Sequence, residues 1–259
     1  MKHLRLTLLS LLAFSLVCSP ILSADSGKII STIKTEGATR SLLIRDEYAF
    51  IGARDGLGIV DISDVDKPKI ISEIKLKGEV LGISISGNTL FAAVYRMGLV
   101  IIDVSHPGFP QVKEVYEFKT AIYNLLVAGS LAYVASSQGL IILDISDKFT
   151  PREIGLFETE SAVYDICING DWAYILDNSC VEEYQGRLYA VDISDPRHPK
   201  PGSQLDLPFP MKVVAVDNYL YVADGGLYVF DISAPSQPKK CKAIFTGDIQ
   251  QDLAIDQTN

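Results

Sequence analysis

Histidine is almost missing from this chain, with 3 in 259 residues. His3 lies at the N-terminus, and His106 and His198 each stand next to a proline in what reads as a turn. A histidine-based zinc site, or a histidine base for a serine nucleophile, therefore has little to be built from. Cysteine is also scarce: beyond Cys18 there are Cys167, Cys180 and Cys241, an odd number that allows at most one internal pair. Cys167 and Cys180 are near enough in sequence to pair or to remain buried or free thiols, but a disulfide framework is not what stabilises this domain. No stretch after the N-terminal segment shows a helical period of apolar residues over three turns. Basic residues are outnumbered, 23 Lys+Arg against 32 Asp+Glu, for a formal charge of −9. Such a surface repels phosphates and argues against nucleic acid as a partner.

Long apolar runs are missing too. Leu6 to Val17 is the longest at 12 residues, too short to span a bilayer. With Lys2 and Arg5 ahead of it, Pro20 breaking it and Ser23-Ala24 before Asp25, it reads as an export signal over residues 1–24. Cys18 leaves a lipid anchor open, although Val17 stands where lipoprotein signals want a small residue. Removing Lys2 and Arg5 takes the formal charge from −9 to −11. The mature chain, residues 25–259, has no transmembrane segment and is expected to be periplasmic, extracellular or at the cell surface.

What the chain does have is a phrase repeated five times. An apolar run ends in Asp-Ile-Ser (Asp-Val-Ser in the second copy) at Asp61, Asp103, Asp144, Asp192 and Asp231. A proline follows seven residues after each, at Pro68, Pro110, Pro151, Pro199 and Pro238. Repeats of about 40 residues made of short apolar runs and turns mark propellers and solenoids. Within the second copy, Val80 to Ser86, Leu90 to Tyr95, Leu99 to Val104 and Val112 to Tyr116 read as four strands of an antiparallel meander. Runs such as Leu99-Val100-Ile101-Ile102 are apolar at every position, which suits a strand covered on both faces. The fold class is therefore all-β, a β-propeller of four-stranded blades with five full repeats plus parts of a sixth. The repeated aspartates have a structural reading, in which each fixes its turn through backbone N–H groups one or two residues on. The prolines then open an outer strand that does not need every N–H donor.

These residues resemble the LVIVD-repeat family of β-propellers. The name-giving motif reads Leu57-Gly58-Ile59-Val60-Asp61, Leu99-Val100-Ile101-Ile102-Asp103, Leu140-Ile141-Ile142-Leu143-Asp144, Leu188-Tyr189-Ala190-Val191-Asp192 and Leu227-Tyr228-Val229-Phe230-Asp231. The resemblance implies an exported or surface-attached propeller, with no catalytic residues and no cofactor to carry over. Other propeller classes fit less well: Gly-His with Trp-Asp pairing is missing, and a single tryptophan, Trp172, excludes tryptophan-docked blades. The ends are out of phase. Lys28 to Lys34 reads as a fourth strand lacking its first three, and Asp248 to Asp256 as a first strand with nothing after it. The chain is thus expected to be part of a longer six- or seven-bladed protein, truncated at its C-terminus, or an unusually closed ring.

A ligand site is expected where the first strands and the loops between second and third strands meet at the mouth of the axis. The first strands supply Arg40, Tyr123, Asn124, Tyr164, Asp165 and Lys212. The loops supply Arg54, Asp55, Arg96, Asp177 and Asp224, with an expanded fourth loop adding Glu183, Tyr184 and Arg187. Convergent polar groups around a concave mouth suit a protein, peptide or glycan ligand. Drawing a carboxylate pair from Asp55, Asp165, Asp177, Glu182 and Asp224 gives the alternative, an extracellular carbohydrate hydrolase or lyase.

Overall fold

The computed structural model describes residues 6–7, 29–35, 37–179, 185–244 and 253–255. Five antiparallel four-stranded sheets follow one another along the chain, each in simple meander order, with no helix among the described residues. Blade 1 comprises Thr39–Arg45, Tyr48–Ala53, Gly56–Asp61 and Lys69–Lys75. Blade 2 comprises Val80–Ser86, Thr89–Val94, Gly98–Asp103 and Gln111–Tyr116. Blade 3 comprises Ile122–Ala128, Leu131–Ser136, Gly139–Asp144 and Arg152–Glu158. Blade 4 comprises Val163–Asn169, Trp172–Ser179, Gln185–Asp192 and Lys200–Leu207. Blade 5 comprises Lys212–Val216, Tyr219–Ala223, Leu227–Asp231 and Lys239–Ile244. A two-residue antiparallel pairing joins Leu6–Thr7 to Ala254–Ile255.

The core lies between blades rather than within them. Phe50, Leu57 and Ile59 of blade 1 pack on Leu90, Ala92 and Ile102 of blade 2. Phe91, Ala93, Leu99 and Ile101 on the other face of blade 2 pack on Ala132, Val134, Ile141 and Leu143 of blade 3. The pattern repeats from blade 3 to blade 4 and from blade 4 to blade 5. That arrangement explains the uninterrupted apolar runs: alternate residues of one strand face opposite neighbours, and Leu99, Val100, Ile101 and Ile102 are all fully buried. First strands of successive blades lie side by side from blade 1 to blade 5 and so line the axis. Among the described residues, no comparable packing joins the first strand of blade 5 to that of blade 1.

Each repeated aspartate fixes its turn as the sequence suggests. The Oδ1 atoms of Asp61, Asp103, Asp144, Asp192 and Asp231 accept from the backbone N–H of the serine two residues on, at 2.8–2.9 Å. Hydrogen bonds from that serine hold all five carboxyls below the usual carboxylate range. The outer strand then starts right after the proline. Glycine in the Gly-Leu pair has a steric cause. A Cβ on Gly56, Gly98 or Gly139 would stand 1.9, 2.4 or 2.1 Å from a carbonyl oxygen of the fourth strand, and each has φ between 109 and 142°.

Gly155, on the fourth strand of blade 3, serves the contact between blades. Its Cβ would come 2.1 Å from the backbone oxygen of Pro196 in the third-to-fourth strand turn of blade 4. Neither partner is a flexible side chain, so Gly155→Ala should push blades 3 and 4 apart. Overpacking of this kind costs about 1–3 kcal/mol, which a shift of the urea midpoint at constant slope would register.

Candidate functional site

The mouth is built by a recurring irregularity. In blades 1 to 4 the pairing of first and second strands skips one residue near the start of the first strand: Arg40, Leu81, Tyr123 and Tyr164. A bulge of this kind re-aims a side chain out of the regular alternation. Three of the four are residues that the sequence places at the mouth or beside it; in blade 2 the bulged residue is Leu81, one before Gly82.

Two side-chain groups gather around these bulges. Between blades 1 and 2, Glu79 receives both Arg40, at 3.5 Å, and Arg54, at 3.1 Å. Across blades 2 to 4 runs an aromatic row. Tyr95 lies 6.3 Å from Tyr123, and Tyr123 lies 4.6 Å from Tyr164, centroid to centroid. The guanidinium of Arg96 stands over the Tyr95 ring at 5.2 Å, from a left-handed backbone with φ of 59°. Arg96 and Tyr164 are exposed, while Tyr95 and Tyr123 are half-buried.

The residue after the bulge reaches toward the next blade in blades 1, 3 and 4. Ser41 donates to the carbonyl of Val80, and the missing side chain of Gly82 leaves room for Asn124, whose Oδ1 would stand 2.3 Å from a Cβ there. Asn124 Nδ2 donates to Asp165 Oδ1 at 2.6 Å. Asp165 Oδ1 also accepts from Lys212 Nζ at 3.1 Å, and its Oδ2 accepts from the backbone N–H of Val213 at 2.7 Å. Asn124, Asp165 and Lys212 thus form one chain of hydrogen bonds that ties blades 3, 4 and 5 together around the axis. Asp165 is buried, and both of its oxygens are engaged.

The remaining carboxylates lie in the hairpins of blades 4 and 5. Asp177 is in the second strand of blade 4 rather than in a loop, and its Oδ2 accepts from the Tyr189 hydroxyl at 2.9 Å. Arg187 donates to Tyr189 and to Glu160. Burial, partly offset by the Tyr189 hydrogen bond and by Arg187, pushes the Asp177 carboxyl up. Burial pushes the Tyr189 phenol up to about 12. Asp224 in blade 5 accepts from the Phe209 N–H at 2.6 Å through Oδ1, and its Oδ2 is a buried atom without a hydrogen bond. Burial raises its pKa above 3.8, against the Phe209 hydrogen bond and Lys240.

That shift has a defined sign. A carboxyl whose folded pKa is raised contributes stability that is fully present below the unfolded value and lost as pH rises through the folded one. Asp224→Asn removes the ionisation and keeps an oxygen for the Phe209 N–H. The variant should therefore unfold at higher urea than the parent at pH 7. The difference should vanish as pH falls toward 3.8, and paired urea titrations at the two pH values check this.

Asp55 stands exposed in the second-to-third strand turn of blade 1. Glu183 and Tyr184, with Cys180 and Glu182, lie outside the described residues. Cys167 carries a free, buried thiol. Sequence reasoning missed Glu79, Glu160 and Tyr189, the partners of the mouth arginines. Only Tyr189 carried a signal, as an aromatic within an otherwise aliphatic motif. Among the described residues no group of histidine, cysteine, aspartate or glutamate side chains is arranged to hold a metal ion.

The LVIVD repeat matches the chain five times, over residues 36–74, 77–117, 123–159, 162–201 and 211–244. No curated protein matches it. Solved structures do. The computationally designed Ika8 protein is 13% identical with a TM-score of 0.59, over 79% of this chain and 61% of that one. The Cps50 (Swd1) β-propeller domain of Myceliophteria thermophila is 13% identical with a TM-score of 0.63, over 83% and 74%. BamB from Moraxella catarrhalis is 14% identical with a TM-score of 0.57, over 80% and 65%. The chain thus spans about three-fifths of the designed protein and less than two-thirds of BamB. At these identities the likeness is one of fold alone.

Proposed function

Because the chain belongs to the LVIVD-repeat family, we propose that it is an exported scaffold that binds a protein, peptide or glycan across its mouth at the cell surface. A propeller of repeats suits a scaffold or binding role. The observation that supports the finer reading is the row of Tyr95, Tyr123 and Tyr164 with Arg96 at its end, in which Tyr123 and Tyr164 are the bulged residues of blades 3 and 4. Tyrosine and arginine dominate the hot spots of recognition surfaces, because they offer large contact area and polar tips together. Arg40 and Arg54 extend that rim toward blade 1. A hydrolase or lyase built on the mouth carboxylates lacks a comparable observation, since Asp165 is engaged at both oxygens and Asp177 at one.

The test begins with the full chain screened against extracellular oligosaccharides and immobilised peptides. Any ligand found is then titrated onto the double variant Tyr164→Ala, Arg96→Ala. A loss of about tenfold or more in affinity, with the urea midpoint unchanged, is expected for hot-spot side chains. A ligand that binds the variant as tightly as the parent would place recognition elsewhere. Export is tested separately, by fusing residues 1–24 to a reporter that is active only outside the cytoplasm. A silent reporter would overturn that part of the reading.

A further inference from the structure

Cations gather on one side of the mouth. The loop of residues 76–79, which joins blade 1 to blade 2, is held against the second-to-third strand turn of each. Its Leu76 N–H donates to the Asp55 carbonyl at 3.1 Å, and its Glu79 carbonyl accepts from the Tyr95 N–H at 2.8 Å. Gly78 lets the loop lie close on blade 2, since a Cβ there would stand 2.4 Å from the Tyr95 carbonyl oxygen. Arg54, Lys77 and Arg96 are thereby brought to one rim, and the bulged Arg40 joins them through Glu79.

All four cations are exposed, and they outnumber Asp55 and Glu79, the carboxylates of the same segments. Arg40 and Arg54 both approach Glu79 through Nε, so one carboxylate serves two guanidiniums and their terminal nitrogens can meet a further acceptor. Lys77 and Arg96 form no ion pair among the described residues. The rim is thus a local excess of positive charge on a chain of formal charge −9. A polyanion would be repelled by the surface as a whole, so its binding would have to come from this rim.

The rim runs directly into the tyrosine row, because Tyr95 is bonded to Glu79 and precedes Arg96. Blades 2, 3 and 4 each add one ring. A row with the same chemistry at every step suits a ligand with the same face at every step. An extended peptide turns successive side chains to opposite sides. A sugar chain instead offers an apolar C–H face and hydroxyls ring after ring, which matches the flat body and polar tip of tyrosine.

Resting on the reading of the mouth as a binding surface, we propose that its ligand is an acidic polysaccharide, a chain of uronic acid units. Sugar rings lie on Tyr123 and Tyr164, while carboxylates along the chain pair with Arg54 and Arg96.

The experiment titrates the full chain at low salt with oligogalacturonate and oligomannuronate, beside their methyl esters of equal length and poly-glutamate of equal charge. At least one acidic sugar should bind about tenfold or more tighter than its ester and than poly-glutamate, and should weaken as salt is raised. Arg54→Gln combined with Arg96→Gln should lose about tenfold in affinity and most of the salt dependence, with the urea midpoint unchanged. Equal binding of the ester would overturn the acidic class, and equal binding of poly-glutamate would overturn the glycan. No binding of either acidic sugar would overturn the proposal while leaving the mouth open to ligands from the wider screen. An acidic sugar that binds Tyr164→Ala as tightly as the parent would overturn the reading of the mouth itself.

Discussion

Asp165→Ala is expected to lower the unfolding free energy by about 3–5 kcal/mol, the cost of breaking a buried ion pair by removing one partner. The carboxylate is 2% exposed and accepts from Asn124, Lys212 and the Val213 N–H. Truncation leaves the Val213 N–H buried without its acceptor and removes the carboxylate to which Asn124 and Lys212 donate. Three blades meet at this one side chain, so no single sheet can relax to absorb the loss. Asp165→Asn keeps the shape and an acceptor and should cost less than the alanine. Urea unfolding followed by Trp172 fluorescence reads both. A loss below about 1 kcal/mol, with ligand binding abolished, would instead make Asp165 a recognition group.

Phe91→Ala is expected to cost a similar amount, about 3–5 kcal/mol for a large side chain in a core that cannot collapse. Phe91 is fully buried in the interface between blades 2 and 3, among Leu125, Val134 and Leu143. Its second effect is on cooperativity. When neighbours touch only neighbours, stability is close to a sum of units and interfaces, and weakening one interface uncouples the two sides. Trp172 is the chain's 1 tryptophan and belongs to blade 4. In the parent, fluorescence and far-UV dichroism should give one coincident transition. In the variant, dichroism should fall first as blades 1 and 2 unfold, with fluorescence following. Coincident curves in the variant would mean that blade 5 holds blade 1 directly and the ring is closed.

The sequence carried the blades because their causes are local. The repeated Asp-x-Ser turn, the proline that follows and the doubly apolar third strand act within one blade and recur with its period. The mouth was legible only in part. Arg40, Tyr123 and Tyr164 stood out as chemically varied residues at a shared position, but the bulges that present them depend on strand register, which no residue type announces. The partners are further from view still. Asn124 meets Asp165 41 residues on, and Lys212 meets Asp165 from 47 residues away. Such contacts are fixed by the angle between blades. The same holds for Glu79, an ordinary exposed-looking glutamate until two arginines from blade 1 converge on it.

The meander order of the sheets also bears on how the chain reaches its fold. Each four-stranded sheet is closed within one contiguous stretch, from Thr39–Lys75 through Lys212–Ile244, and among the described residues only the two-residue pairing of Leu6–Thr7 with Ala254–Ile255 joins distant parts of the chain. Contact order is therefore low for an all-β protein, and the slow search for non-local strand pairs is avoided. Each blade needs only its predecessor as a template, so folding can keep pace with synthesis from the N-terminus, one blade at a time.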